Sequence, residues 1–298
     1  MVRNPDECLM LLATVEPIYR TKVVESLLAQ RVIAKSQRVR DIWQASNKDW
    51  NQTLYTMTAY ALGAPRNSVP AQQLSRIVSY NMCLRERSRL QSVEALLLGA
   101  SGLLEGEYYD NYIVALQEEY DYLANKYSLR PMRAGEWQVV HNIPAGGPVM
   151  RLVQLAALVC KPSFSFDELI RCHTLEEIDA LLGVEMSDYW QQHFTVQGAK
   201  TKVHKRIGRD KVVMMAINLV VPLQIAYADA MKDNGLKERA LELLERLPAE
   251  HNRLVSKCTG AGVPCRSAYD SQALIELQNL CARGGCLECP LEKQLRKR

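Results

Sequence analysis

Several protein classes are excluded by patterns that this sequence lacks. The opening segment is interrupted by Glu16 and Pro17 and has no small-residue cleavage site, so no secretory signal peptide is expected. No apolar run approaches the roughly 18 residues that a membrane-spanning helix needs. The longest, VVMMAINLVVPLQIAYA, is interrupted by Asn218, Pro222 and Gln224 and is predicted to be a buried helix. We therefore expect a cytoplasmic protein with no membrane partner.

Catalytic motifs are missing as well. The sequence has no G-x-S-x-G, no H-E-x-x-H, no P-loop and no recognisable pair of catalytic carboxylates. Its formal net charge of +4, from 37 basic and 33 acidic residues, is too small to indicate nucleic-acid binding from the total alone. Whether the chain is an enzyme stays open at this level, and any binding function must come from local charge.

Helical periodicity is what the sequence has in abundance. The stretch EPIYRTKVVESLLAQRVIAKSQRVRDIWQ, residues 16–44, repeats apolar side chains at spacings near 3.6, and further helical stretches follow. Thr174 followed by Glu177 predicts a capping box at one helix start. Alternating runs are few. The predicted fold class is therefore all-α: a multi-helix orthogonal bundle with a C-terminal cysteine knuckle and little or no sheet.

A loop rich in proline and glycine, residues 130–148, is the best internal boundary. It predicts an N-terminal helical subdomain, residues 1–135, and a C-terminal helical subdomain, residues 136–298. The second subdomain would contain both segments with unusual chemistry, a basic loop and a cysteine motif.

Two further charged groups have alternative interpretations. Four basic residues share one face of the first long helix, which is either a solvated face or a binding surface. They are Arg20, Arg31, Lys35 and Arg38. Glu250 and His251, in the segment PAEHN, are either general acid–base groups or exposed residues at a helix start.

Positive charge concentrates in residues 198–211, which we call the basic loop. Six basic residues stand there beside one acidic residue, Asp210. The six are Lys200, Lys202, Lys205, Arg206, Arg209 and Lys211. An apolar helix follows directly, and a helix N-terminus favours anions. The basic loop is therefore either a site for phosphate or nucleic-acid backbone, or a flexible solvated loop.

Nine cysteines are present, and five lie beyond residue 257. Cys281, Cys286 and Cys289 form the cysteine motif, C-x4-C-x2-C, in which Gly284 and Gly285 permit tight turns. Thiolates at such spacings bind zinc or an iron–sulfur cluster; the alternatives are reduced buried thiols and a redox role. Three side chains are candidates for a fourth ligand: Cys258, Cys265 and His251. The four remaining cysteines are predicted to be buried thiols: Cys8, Cys83, Cys160 and Cys172.

Seven segments, taken together, resemble a bacterial protein family. They are SVEALLLGASGLLEG, EYDYLANKYSLRPM, MRLVQLAAL, YWQQHF, INLVVPLQIAYA, ALELLERLPAEHNRLV and YDSQALIELQNLCARGGCLECPL. In this order they are similar to the family known as domain of unknown function 2851, common in Bacteroidetes. The resemblance runs from about residue 90 to the end, and less securely from residue 10.

The resemblance implies little about chemistry. Longer members are expected to carry a strand-rich N-terminal part with G-P-D-F and E-I-H-x-K, similar to the Mg²⁺-binding core of PD-(D/E)XK nucleases. This chain has neither motif, so it resembles a shortened member, and no nuclease residue carries over. The positions that carry over are Cys281, Cys286 and Cys289, with the segments PAEHN and DSQAL.

The expected function is that of a helical accessory region. It would bind nucleic acid or another polyanion through the basic loop and the basic C-terminal tail LEKQLRKR, with the cysteine motif as a structural staple. A nuclease-like region outside this chain is the partner that the resemblance implies. The alternative is a structural or protein-interaction module without catalytic activity.

Overall fold

The computed structural model describes residues 4–139, 144–196, 198–202, 205–250 and 252–296. The chain is 70% helical, and its described part contains no strand, which confirms the all-α class. The nearest approach to a sheet there is an isolated antiparallel bridge between Pro248 and Ser267.

The α-helices are numbered α1 to α17 in chain order. Their bounds are Pro5–Thr14, Pro17–Ala45, Trp50–Gly63, Ser68–Ile77, Tyr80–Glu86, Leu90–Ala100, Asn111–Tyr127, Pro148–Cys160, Phe166–Arg171, Leu175–Leu182, Asp188–Gln192, Arg209–Met215, Val221–Met231, Asn234–Arg246, Arg253–Gly260, Ala268–Ala282 and Pro290–Leu295. Two short 3₁₀ turns lie at Ala134–Glu136 and Pro144–Gly146, and a π-helical turn, Ala216–Val220, joins α12 to α13.

Helix starts follow from local side-chain chemistry. Thr174 accepts a hydrogen bond from the Glu177 N–H, and the Glu177 carboxylate accepts from the Thr174 N–H, which is the predicted capping box. The Asp49 side chain caps α3 in the same role. The π-helical turn ends two residues before Pro222, whose ring and missing N–H disrupt the regular hydrogen-bond ladder.

The chain forms two compact units. Unit 1 comprises Met1–Arg40 and Val220–Arg298, and unit 2 is Asp41–Leu219. This division differs from the one expected after residue 135. The physical reason is that α6 packs against both α7 and α8, so the loop that joins those two helices lies inside unit 2.

A buried carboxylate joins three segments of unit 2. Glu94 on α6 accepts hydrogen bonds from the Tyr112 hydroxyl (2.5 Å), the Ser187 hydroxyl (3.0 Å) and the Trp190 indole N–H (3.1 Å). Burial raises the pKa of Glu94, while these three donors oppose that shift. The segment YWQQHF is therefore held in place by an internal polar contact as well as by apolar packing of Trp190.

One helical stretch stands out by its apolar composition. Together, α12, the π-helical turn and α13 form a continuous helix, Arg209–Met231. Among the described residues it is the one helix long and apolar enough to cross a membrane by length and composition, whereas the sequence predicts no spanning helix. Of its most apolar window, 72% is buried inside the fold, as in the core helices of globular proteins. It is weak evidence for a membrane.

Candidate functional site

The basic loop of unit 2 keeps four of its six cations exposed: Lys200, Lys202, Arg206 and Arg209. Arg209 lies 3.6 Å from the Glu176 carboxylate, and both side chains are more than half exposed. Such a surface ion pair contributes little to stability, so it neither fixes nor neutralises Arg209 strongly. The exposed part of the loop therefore presents positive charge to solvent.

Lys205 is the first of the two cations that turn inward. Only 2% of it is exposed, and its ammonium group donates to the Gln191 carbonyl at 2.7 Å. The same group lies 3.4 Å from the Thr201 hydroxyl and 4.5 Å from the centroid of the Phe194 ring, a cation–π distance. This lysine therefore anchors the middle of the basic loop to the end of α11.

Lys211 is the second inward cation. Its ammonium group donates to the carbonyls of Ala61 (2.7 Å) and Ala64 (3.0 Å), at the C-terminal end of α3. Carbonyls at a helix end have no partner within the helix, so a lysine there satisfies them. Burial, with a smaller contribution from Arg151, lowers the pKa of Lys211 to about 7. The basic loop is thus fixed at its C-terminal end too.

The cysteine motif forms a tight turn in unit 1. Cys281 lies in the last turn of α16; Gly284 follows with a φ of +72°, a conformation that favours glycine, and the Gly285 N–H donates to the Leu280 carbonyl at 2.8 Å. Cys286 follows in the turn, and Cys289 is the residue before α17. The chain reversal expected from the two glycines is present.

The three thiols of the cysteine motif line one small cavity, together with a fourth thiol, that of Cys8 on α1. Cys8, Cys281 and Cys289 are buried, and Cys286 is partly exposed. The described lining includes neither Cys258 nor Cys265; these two lie near each other, in α15 and in the loop after it. His251 lies outside the described residues. Cys8 is buried, as its apolar sequence context predicts, but no residue spacing points to a contact with residues so distant in the chain.

The four thiols do not form a metal-ligand shell in this structure. Within the described ranges, no group of three or more His, Cys, Asp or Glu side chains is arranged to hold a metal ion. Burial raises the pKa of Cys281 to about 12, and a hydrogen bond with Cys8 and the nearby thiols of Cys289 and Cys286 add to the shift. Cys281 is therefore close enough to the other three thiols for them to influence its protonation.

A polar cluster in unit 1 connects α2 with α16. Arg31 and Lys35 both donate to the Gln272 side-chain oxygen, Arg31 at 3.2 Å, and the Gln272 amide donates to Glu250 at 2.7 Å. Glu276 lies 3.8 Å from Arg31 and 3.0 Å from Arg283. Burial, followed by the neighbouring charge of Arg31, holds the pKa of Lys35 well below its usual range.

The polar cluster revises the interpretation of the α2 basic face. Arg31 and Lys35 belong neither to a fully solvated face nor to a purely cationic surface, because Gln272 and Glu276 are buried beside them. Arg20 instead donates to the Ala13 carbonyl at 3.3 Å, and Arg38 is exposed. Glu250 of the segment PAEHN and Gln272 of the segment DSQAL are thus hydrogen-bonded to each other, and Gln272 contacts the basic face of α2. Neither segment by itself predicts this contact.

The basic C-terminal tail is only partly described. Arg296 lies 3.2 Å from Glu292, an ion pair one helical turn apart, and residues 297–298 lie outside the described residues. Two cations of the tail can therefore be placed: Arg296, which is paired with Glu292, and Lys293, which is exposed on α17.

Comparison with known proteins gives one match. A family model described as "Protein of unknown function (DUF2851)" matches residues 3–253, which include Cys8, the basic loop and Glu250 but not the cysteine motif. The match therefore starts earlier and ends earlier than the resemblance suggested. No curated protein and no solved structure matches the chain significantly.

Proposed function

The chain belongs to the family of proteins of unknown function DUF2851, and we propose that this member binds the phosphate backbone of nucleic acid through its basic loop. The observation that supports the proposal is that some of the six cations bond within the fold while others are exposed. Lys205 and Lys211 hold the loop against unit 2, while Lys200, Lys202 and Arg206 project into solvent.

Anchoring matters because a preordered loop loses less conformational freedom on binding. Ammonium and guanidinium groups contact phosphate oxygens without reading base sequence. Asp210 is the one acidic residue within the loop, and the surface pair of Arg209 with Glu176 is readily opened. The expected activity is therefore sequence-independent binding that weakens steeply with salt.

The test compares two triple variants with the same net charge. One replaces Lys200, Lys202 and Arg206 with alanine. The matched control replaces three exposed arginines elsewhere in unit 2, Arg66, Arg76 and Arg130, with alanine. Fluorescence anisotropy with a labelled DNA duplex would give the binding constant from low to physiological salt.

We expect the loop variant to lose affinity at every salt concentration and to reduce the salt slope by about 0.9 for each phosphate contact removed. The control should keep most of the affinity of the original chain. Two results would overturn the proposal: no binding by the original chain at low salt, or equal losses in both triple variants.

A second candidate function is a structural or protein-interaction module, and the internal use of Lys205 and Lys211 favours it. In that case these two lysines serve only to hold α3 and α11, and the exposed cations are a solvated surface. The same anisotropy experiment decides between the two functions, because a solvated loop gives no binding even at low salt.

A further inference from the structure

We propose that Cys8, Cys281, Cys286 and Cys289 together bind a single tetrahedral metal ion, with zinc as the expected occupant. This inference is independent of the proposed nucleic-acid binding, which concerns unit 2. All four residues belong to unit 1 and line the same cavity. Four cysteine sulfurs around one ion is the usual ligand set of a structural zinc site.

The backbone brings the four thiols together from three places. Cys281 comes from the end of α16, Cys286 from the glycine turn, and Cys289 from the residue before α17. Cys8 comes from α1, which packs against α16, and its thiol is in hydrogen-bonding contact with that of Cys281. In the proposed site, the bound ion would draw these four sulfurs from their present arrangement into one ligand shell.

Among the described residues that line the cavity, the other side chains offer a single further possible ligand, a carboxylate. The rest of the lining is largely apolar, with Leu280, Leu291 and Leu295, and the carboxylate is that of Glu292. Glu292 is held by Arg296, whose Nε lies 3.2 Å from the carboxylate. The soft sulfur donors therefore determine which metals suit the cavity, and they select zinc over magnesium or calcium.

Cavity size distinguishes one ion from a cluster. The cavity has a volume of about 10 Å³, roughly the space of one water-sized sphere. One ion bonded to four sulfurs needs no more, whereas an iron–sulfur cluster must also accommodate its inorganic iron and sulfide atoms. We therefore expect zinc rather than the cluster that the C-x4-C-x2-C spacing also allowed.

The binding step releases protons. Four S–H bonds lose their protons to solvent, and four metal–sulfur bonds form with one divalent ion, which leaves a site with a net charge of −2. Burial and the neighbouring thiols disfavour the thiolate form of Cys281 in the absence of a cation, and a bound dication reverses that preference. Affinity should therefore rise with pH, and binding should connect α1 to the C-terminal segment of unit 1.

The first experiment uses the full chain, purified under reducing, anaerobic conditions. Elemental analysis should find one zinc per chain, with neither iron nor acid-labile sulfide. Cysteine alkylation mapped by mass spectrometry should show these four thiols protected until a chelator is added. Cobalt(II) exchanged into the site should give the absorption of a tetrahedral four-thiolate complex. Zinc-free protein that takes up no cobalt, or about four irons with sulfide, would overturn the proposal.

The second experiment isolates Cys8. The Cys8→Ser variant should lose zinc affinity by more than about 100-fold, because even outer-shell substitutions cost 10–100-fold. The matched control is Cys258→Ser, which changes a fully buried thiol outside the described cavity lining. A Cys8→His variant, which restores a zinc ligand, should recover part of the affinity and so separates lost ligation from misfolding. Unchanged zinc affinity in Cys8→Ser would show that Cys8 is not a ligand.

Discussion

The basic loop of unit 2 and the basic face of α2 in unit 1 look alike in sequence but differ in structure. In the basic loop, the inward cations Lys205 and Lys211 bond mainly to backbone carbonyls. On α2, Arg31 and Lys35 bond to the side chain of Gln272, whose amide in turn binds Glu250. Both arrangements remove cations from solvent. Only in the second are the acceptors side chains, whose residue type identifies them as possible partners in the sequence.

This difference shows why a count of charged residues does not predict which cations are exposed. A carbonyl acceptor exists at every residue, so nothing in the sequence marks Ala61 or Gln191 as a partner for lysine. Side-chain acceptors are marked by residue type, and Gln272 and Glu276 lie on the buried side of α16. A count of charged residues therefore overestimates the number of exposed cations in both regions. In the basic loop the cause is bonding to backbone carbonyls, and on α2 it is bonding to buried side chains.

The largest expected effect comes from breaking the polar cluster. Replacing Gln272 with leucine leaves Arg31, Lys35 and Glu250 without the amide that connects them. Loss of a partner to these partly buried charged groups costs about 3 kcal/mol. Urea denaturation should show that decrease in the free energy of unfolding.

The control for this prediction lies on the same helix. Gln278 is partly exposed, and leucine at that position should change stability by less than about 0.5 kcal/mol. Equal stability of the two variants would mean that the polar cluster contributes nothing that an apolar side chain does not replace.

A smaller effect is expected from the titration of Lys211. Its pKa is lowered from the ordinary 10.5 to about 7 in the folded chain. Between these values the unfolded chain binds more protons, so the free energy of unfolding increases as pH rises from about 7 towards 10. Below pH 7 the lysine is charged in both states, and the full cost of its burial is present.

The Lys211→Met variant tests this sign. The stability of the original chain relative to that variant should increase between pH 7 and 10, by about 2 kcal/mol once partial access of water is considered. Paired urea denaturation series at several pH values measure the difference directly. A difference that stays flat over this range, or that falls with pH, would contradict the burial of Lys211.

Local features of the fold were predictable, and long-range ones were not. Periodicity gave the all-α class, and residue spacing gave the Thr174–Glu177 capping box and the turn of the cysteine motif. Sequence could not place Cys8 beside that motif, because α1 contains no residue spacing that points to α16. The division into two compact units could not be deduced from the sequence either, because a loop rich in proline and glycine marks a turn in the chain and does not require a domain boundary.

The smallest expected effect on stability comes from a comparison of Lys205 with Lys202, which lies three residues before it in the basic loop. Lys205→Met removes the bond to the Gln191 carbonyl and the contact with the Phe194 ring, and should cost about 1 kcal/mol of stability. Lys202 is exposed, so Lys202→Met should leave stability within about 0.5 kcal/mol of the original. Binding should show the opposite order: the salt slope on duplex DNA falls by about 0.9 for Lys202→Met and stays unchanged for Lys205→Met. Urea denaturation and anisotropy on the same two proteins measure both quantities. Equal slopes for the two variants would mean that burial does not decide which cations of the loop are available to a phosphate.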